Sequence, residues 1–122
     1  PETAKIAQNQ FTQFGLTNIN CAVTEFERYL NNIELEPLPF NLIFFDGNHS
    51  KKATLDYFEL VLPTITNETL WIFDDIHWSA EMKQTWEIIK KHPKVTVTID
   101  TFQWGFVFFR QEQPKEHFII RV

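Results

Sequence analysis

Two short stretches carry the residue types able to do chemistry: Asp46-Gly47-Asn48-His49-Ser50 and Asp74-Asp75-Ile76-His77. Each follows a greasy run, "FNLIFF" at 40–45 and "TLWIF" at 69–73, and each places a histidine three residues after its first carboxylate. Asp46, with Asp74 or Asp75, has the hard oxygen atoms that hold a divalent ion, water completing the shell. The imidazoles of His49 and His77 accept a proton near neutral pH. Asp46, His49 and His77 are therefore the candidate catalytic residues, and Asp46, Asp74 and Asp75 the candidate metal ligands. Two histidines and two carboxylates could also hold a transition metal, although no H-x-x-x-H spacing supports it. Ser50 and Ser79 read as helix caps, so no Ser-His-Asp set is assigned. Asp, Asn and Gly are also turn formers, and either stretch alone is explained as a turn leading into a capped helix. Their occurrence after two neighbouring strands favours a site, because ligands of open α/β sheets bind outside the carboxyl ends of the strands.

The elements that must position these residues follow from periodicity. "PETAKIAQNQFTQFG" reads as a helix, with Pro1 at a first helical position, Glu2 at the positive end of the dipole and Gly15 as a left-handed stop. "NINCAV", 18–23, reads as a short strand. Thr24 and Glu27 form a capping box before a helix that sets Phe26, Tyr29, Leu30 and Ile33 on one stripe. "EPLP" at 36–39 breaks the chain. The unbroken apolar run 40–45 reads as a strand buried on both faces. Ser50 caps a helix from Lys51 to about Leu62, and 69–73 is a second buried strand. Ser79 caps a helix carrying Met82, Trp86 and Ile89 on one face, ending near Pro93. "KVTVTID", "WGFVFFR" and "HFIIRV" then read as strands with no helix between them. Strands alternating with helices predict an α/β fold with a doubly wound, mostly parallel sheet, closed by an antiparallel C-terminal hairpin.

Composition excludes several classes. The 122 residues are 43% hydrophobic and suit one domain or a large piece of one. The net charge of −5 opposes non-specific nucleic-acid binding, which needs a positive field. The apolar runs fall far short of the roughly 20 residues that span a bilayer. Cys21 is alone, so no internal disulfide forms, and a cytoplasmic location is the natural inference. Three glycines, Gly15, Gly47 and Gly105, leave no G-x-G phosphate-cradling loop. The 13 Phe and 4 Trp serve mainly burial; Trp78 and Trp104 are the two that a ligand could meet, and even for these the structural role is the favoured reading.

Taken together, "PETAKIAQNQF", "NLIFFDGNHSKKATLDYFELVLP", "TLWIFDDIHWSAEMKQTWEIIKKHP" and "IDTFQWGFVFF" resemble the second part of a class I S-adenosylmethionine-dependent methyltransferase. The D-G-x-H-S stretch is similar to that of small-molecule and sugar-type O-methyltransferases. The resemblance implies a sheet ordered 3-2-1-4-5-7-6, with 18–23 as third strand, 40–46 as fourth and 69–74 as fifth. It makes residues 1–122 the C-terminal portion of one domain, a partial domain lacking the first strands and their glycine-rich cofactor loop, and so inactive alone. It assigns cofactor contacts to Thr24, Glu25 and Phe26 on the adenine side, and to Asp46, Gly47 and His49 beside the sulfonium. Metal-dependent relatives hold magnesium with an Asp-Asn pair after the fifth strand, where this chain has Asp74-Asp75.

Methyl transfer needs mainly orientation of two reactants and removal of one proton. A small-molecule acceptor is the implied partner, without nucleic acid or membrane. The exposed edge of the fourth strand predicts that the first helix and strand shift against it or that a homodimer forms. Two rival readings are a non-enzymatic α/β binding or interaction domain and half of a nicotinamide-binding domain.

Overall fold

The computed structural model describes residues 2–32 and 40–121. Pro1, Ile33 and the predicted break at 36–39 lie outside the described residues. The chain forms two compact units, Pro1–Asn32 and Ile33–Val122.

In the first unit, helix α1 (Glu2–Gln13) begins with an acid in its first turn. It stops where expected: Gly15 adopts φ 66°, a left-handed conformation that costs glycine little. The Leu16 N–H then bonds back to the Phe11 carbonyl at 2.8 Å and the Gly15 N–H to Thr12 at 3.1 Å, satisfying carbonyls the helix leaves open. Residues 18–23 do not form the predicted strand; they are irregular and largely exposed. Asn18 and Asn20 interrupt the apolar pattern, and no strand among the described residues pairs with them. Helix α2 (Phe26–Asn32) starts two residues after Thr24 rather than immediately behind it, and the Glu25 carbonyl accepts the Tyr29 N–H at 2.9 Å.

The second unit is a five-stranded sheet with two longer helices. Strand β1 (Leu42–Phe45) is followed by helix α3 (Lys51–Val61) and a 3-10 turn (Leu62–Thr64). Strand β2 (Leu70–Phe73) leads to helix α4 (Ala80–Lys91), and strands β3 (Val97–Asp100), β4 (Gly105–Phe108) and β5 (Glu116–Ile119) follow. Both helices begin as the sequence predicts. The Ser50 hydroxyl accepts the Ala53 N–H at 3.4 Å and the Ser79 hydroxyl accepts the Met82 N–H at 3.1 Å. Pro63 enters the 3-10 turn, where its missing N–H is no loss.

The strands are ordered β1-β2-β4-β3-β5. The pairs β1–β2 and β3–β5 are parallel, whereas β4 is antiparallel to both β2 and β3. Four strands therefore point one way with β4 reversed among them, giving a mixed α/β sheet. One row of the register runs Phe45, Phe73, Gly105, Asp100, Ile119 and marks the carboxyl edge of the four co-directional strands.

The core lies on one face of this sheet. Trp71, Phe73, Val107 and Thr98 are buried there together with Phe58 and Val61 of α3 and Met82, Trp86 and Ile89 of α4. Phe58 meets Trp71 edge-on at 5.3 Å, and Phe45 stacks on Phe73 at 4.5 Å. Gly105 is required by this packing: a Cβ there would lie 2.6 Å from Trp86 Cζ3. Strand β1 departs from the expected double burial, since Leu42 is 55% and Phe44 45% exposed. Its continuous apolar run is the reading misled by composition; only the alternate residues Ile43 and Phe45 turn inward.

Candidate functional site

Parallel pairing puts the two acid-ended strands side by side. Phe45 lies opposite Phe73, and the Asp74 N–H extends the ladder to the Phe45 carbonyl at 3.0 Å. The next residues, Asp46 and Asp74, therefore emerge at the same edge, one strand spacing apart. One ligand atom each from Asp46, His49 and Asp74 falls within 4.8 Å of the others. His49 Nε2 stands 3.8 Å from Asp46 Oδ1 and 3.8 Å from Asp75 Oδ2. These are ion-pair distances, too long for hydrogen bonds. Asp74 Oδ1 is buried and has no hydrogen-bond partner among the described residues. An oxygen stripped of water without a partner is costly, so this atom is short of a proton donor or a cation.

The loops that carry these groups are held in uncommon conformations. Asn48 has φ 49° and Asp75 φ 53°, left-handed values that short polar side chains tolerate better than most. The Asn48 carbonyl accepts the Ser50 N–H at 2.6 Å, turning the chain into the Ser50 cap of α3. The Asp75 carbonyl accepts the Trp78 N–H at 2.9 Å, ahead of the Ser79 cap of α4. Each loop thus places its acid before the turn and its helix after it. A narrow pocket behind the acids is lined by Gly47, His49, Thr54, Tyr57 and Asp74, among others.

His77 is engaged elsewhere. Its Nε2 lies 2.7 Å from Oδ2 of Asp100, which is only 6% exposed at the end of β3. Asp100 Oδ1 accepts the Phe102 N–H at 2.8 Å and Arg121 Nη1 at 3.1 Å. Burial by itself would raise the Asp100 pKa. The hydrogen bonds from His77 and the Phe102 amide, with the charges of His77 and Arg121, outweigh it and hold the carboxyl below its ordinary range. Phe102 adopts φ 78° and its ring stacks on the imidazole of His77 at 5.3 Å and 16°, with the Arg121 guanidinium 5.7 Å from the ring centre. Asp75, His77, Trp78, Phe102 and Gln103 line an open cleft of about 330 Å³ beside this group.

The sequence-predicted residues are thus distributed as follows. Asp46, His49, Asp74 and Asp75 come together at the carboxyl edge, with Gly47 in the pocket wall. His77 lies on that edge but is paired with Asp100. Thr24, Glu25 and Phe26 belong to the first unit, where Phe26 opens α2. Trp78 lines the cleft, while Trp104 meets Phe44 edge-on at 6.2 Å. Asp100, Phe102 and Gln103 are site residues the sequence reading missed. A signal for Asp100 was present, since "KVTVTID" is a third apolar strand ending in a carboxylate.

No curated protein and no solved structure matches the chain. A family model described as a methyltransferase domain matches residues 2–76, which takes in Asp46, His49, Asp74 and Asp75 and stops one residue before His77. That match spans more than half of the chain and covers both strands whose ends build the acidic crevice, so the chain belongs to this methyltransferase-domain family.

Proposed function

We propose that the chain contributes the acidic crevice of an S-adenosylmethionine-dependent methyltransferase acting on a small-molecule or sugar-type acceptor. The observation that carries this reading is the convergence of Asp46, His49 and Asp74 at the carboxyl ends of two paired parallel strands, inside the segment matched to the methyltransferase domain. S-adenosylmethionine, when bound, supplies the activated methyl group. The chain's own residues have the complementary tasks. The Asp46–His49 loop and the pocket behind it would shape the donor's side of the crevice. His49 Nε2, set between carboxylate oxygens of Asp46 and Asp75, offers a place for the acceptor's proton.

A divalent cation fits the same residues. Two carboxylates and an imidazole with ligand atoms within 4.8 Å, one oxygen buried and unpartnered, form a mixed oxygen and nitrogen donor set. Asp46, His49 and Asp74 would hold the ion, with Asp75 beyond His49; the ion would lower the pKa of an acceptor hydroxyl. The all-oxygen magnesium set of Asp46, Asp74 and Asp75 predicted from sequence is the harder variant of this proposal.

The reading also treats residues 1–122 as the C-terminal portion of one doubly wound domain. No G-x-G loop occurs in the sequence to cradle the donor, so these residues alone are expected to bind it weakly and to transfer no methyl group. Its expected setting is the cytoplasm, its partner a small molecule rather than nucleic acid or membrane, and a homodimer would cover the free edge of β1. No helix among the described residues is long and apolar enough to cross a membrane.

Calorimetric titration with S-adenosylhomocysteine tests the proposal on these 122 residues and on a chain extended at its N-terminus. Micromolar binding by the longer chain, weakened at least tenfold by Asp46→Ala, supports it. A longer chain that binds no S-adenosylhomocysteine overturns it, and one whose binding the 122 residues match overturns the partial-domain assignment.

A further inference from the structure

The cleft beside His77 has walls of unusual chemistry for a rim. Trp78 is 74% exposed and Phe102 61% exposed, yet both belong to the loops that follow β2 and β3 at the carboxyl edge. Large aromatic rings left in water forgo burial, so their placement asks for a cause. For Phe102 a second cost is added. A bulky residue at φ 78° is strained and persists only when its surroundings enforce it. Asp100 is the enforcing group. One carboxylate holds the Phe102 amide, the imidazole of His77 that stacks on the ring, and the Arg121 guanidinium near the same ring. His77, Phe102 and Arg121 are thereby tied into one wall. Trp78 provides a second, free aromatic surface, and Asp75 and Gln103 provide the polar groups.

We propose that this cleft binds the methyl acceptor and that the acceptor is a flat, uncharged aromatic ring carrying a hydroxyl. The inference rests on the methyltransferase reading above and names its substrate class. The volume of about 330 Å³ suits one or two fused rings and lies at the small end of ligand pockets. Stacking on Trp78 provides the apolar contact, and Asp75 is the acceptor for the ring hydroxyl. The alternatives fit less well. An anionic ring would meet the Asp75 carboxylate in a chain of net charge −5, while the Arg121 guanidinium near Phe102 is already paired with Asp100. A sugar needs partners for several hydroxyls, and the cleft has few to give: Asp75 and the Gln103 amide, with His77 Nε2 already committed to Asp100. Asp75 also stands 3.8 Å from His49 of the acidic crevice, so a ring hydroxyl on Asp75 is delivered next to the groups proposed to handle its proton.

Binding of 2-naphthol to the protein, followed by ligand-observed NMR without any methyl donor, tests the assignment. Methyl β-glucoside and 2-naphthoate serve as competitors. Saturable 2-naphthol binding is expected, weakened at least tenfold by Trp78→Ala and several-fold by Asp75→Asn, with neither competitor displacing it at equal concentration. Trp78 is exposed, so its variant should fold, and the urea midpoint of each variant confirms this. Absence of 2-naphthol binding, binding indifferent to both substitutions, or displacement by the glucoside or the naphthoate overturns the proposal. Because no donor is present, failure here leaves the S-adenosylhomocysteine test of the methyltransferase reading intact, and failure there leaves this measurement intact.

Discussion

His77 and Asp100 are joined through Nε2 and Oδ2 at 2.7 Å, across 23 residues of sequence and between the ends of β2 and β3. Asp100 satisfies three partners at once, so its removal strands all of them. Asp100→Ala should cost about 3 kcal/mol, the scale for breaking a buried pair from one side. Asp100→Asn, which keeps an acceptor for the Phe102 amide, should cost less. Urea unfolding of the two variants gives the comparison. Equal losses would mean that the charge, not the amide bond, is what the fold needs.

Gly105 makes a separate, purely steric prediction. Its φ is ordinary, but the ring of Trp86, through Cζ3 and Cη2, occupies the space a side chain would take, with Trp86 buried against β4. Gly105→Ala should destabilise by about 1–3 kcal/mol, as overpacked cores do. Pairing it with Trp86→Phe, which clears the contacted ring atoms, should recover part of the loss in thermal unfolding. No recovery would place the cost at Ile76, whose Cγ2 would lie 3.0 Å from the new Cβ, or in the strand backbone.

Stability should fall in two steps on acidification. Burial is the first cause lowering His92 and His117, with Lys94 and Lys115 acting on the former, Lys90 and Lys115 on the latter, and Glu59 and Glu87 respectively opposing. A histidine with a depressed folded pKa contributes stability that is complete above its unfolded value, about 6.5, and lost as pH falls through the folded one. Asp100 is also depressed, so its contribution is complete above about 3.9 and vanishes below that. Urea midpoints measured from pH 8 to 3 should therefore hold level, decline below about 6.5 and decline again below about 4. His117→Gln should shrink the first step and spare the second.

Metal affinity should depend on Asp74 more than on Asp46, because Asp74 Oδ1 is buried and unpartnered whereas Asp46 is exposed. Titration calorimetry with Mn²⁺ and Mg²⁺ should show binding that Asp74→Asn weakens at least tenfold. In the absence of metal the same variant should be as stable as the parent or more so, since it removes the charge from a carboxylate whose Oδ1 is buried without a partner. No heat with either ion would remove the cation from the proposal.

How much of this was legible in the sequence depended on the range of the signal. Ser50, Ser79 and Gly15 act within four or five residues of themselves; the two serines start their helices and Gly15 stops its own, as predicted. Asp46 and Asp74 were placed correctly because parallel neighbours need only end together to bring their acids together. The failures are non-local. Residues 18–23 have strand-like composition but no described partner, and pairing is not written in a six-residue window. Leu42 and Phe44 are as apolar as Ile43 and Phe45, and only the pleat decides which of them face inward. Asp100 was overlooked because its partner His77 is reached through β4, whose position between β2 and β3 reverses the order in the chain.

That reversed strand also sets a timetable. Residues 42–73 can pair as soon as they are made, but the second edge of β2 stays open until 105–108 arrive, and β5 can join only after β3 has docked. Throughout synthesis of α4 and β3 the ribosome therefore carries a half-built sheet with Leu70, Trp71, Ile72 and Phe73 unzipped along one side, the kind of surface that chaperones recognise. Insertion of four residues, Gly105–Phe108, joins β3 to β2 in the middle of the strand order, and β5, made last, then closes the sheet of the second unit at its edge.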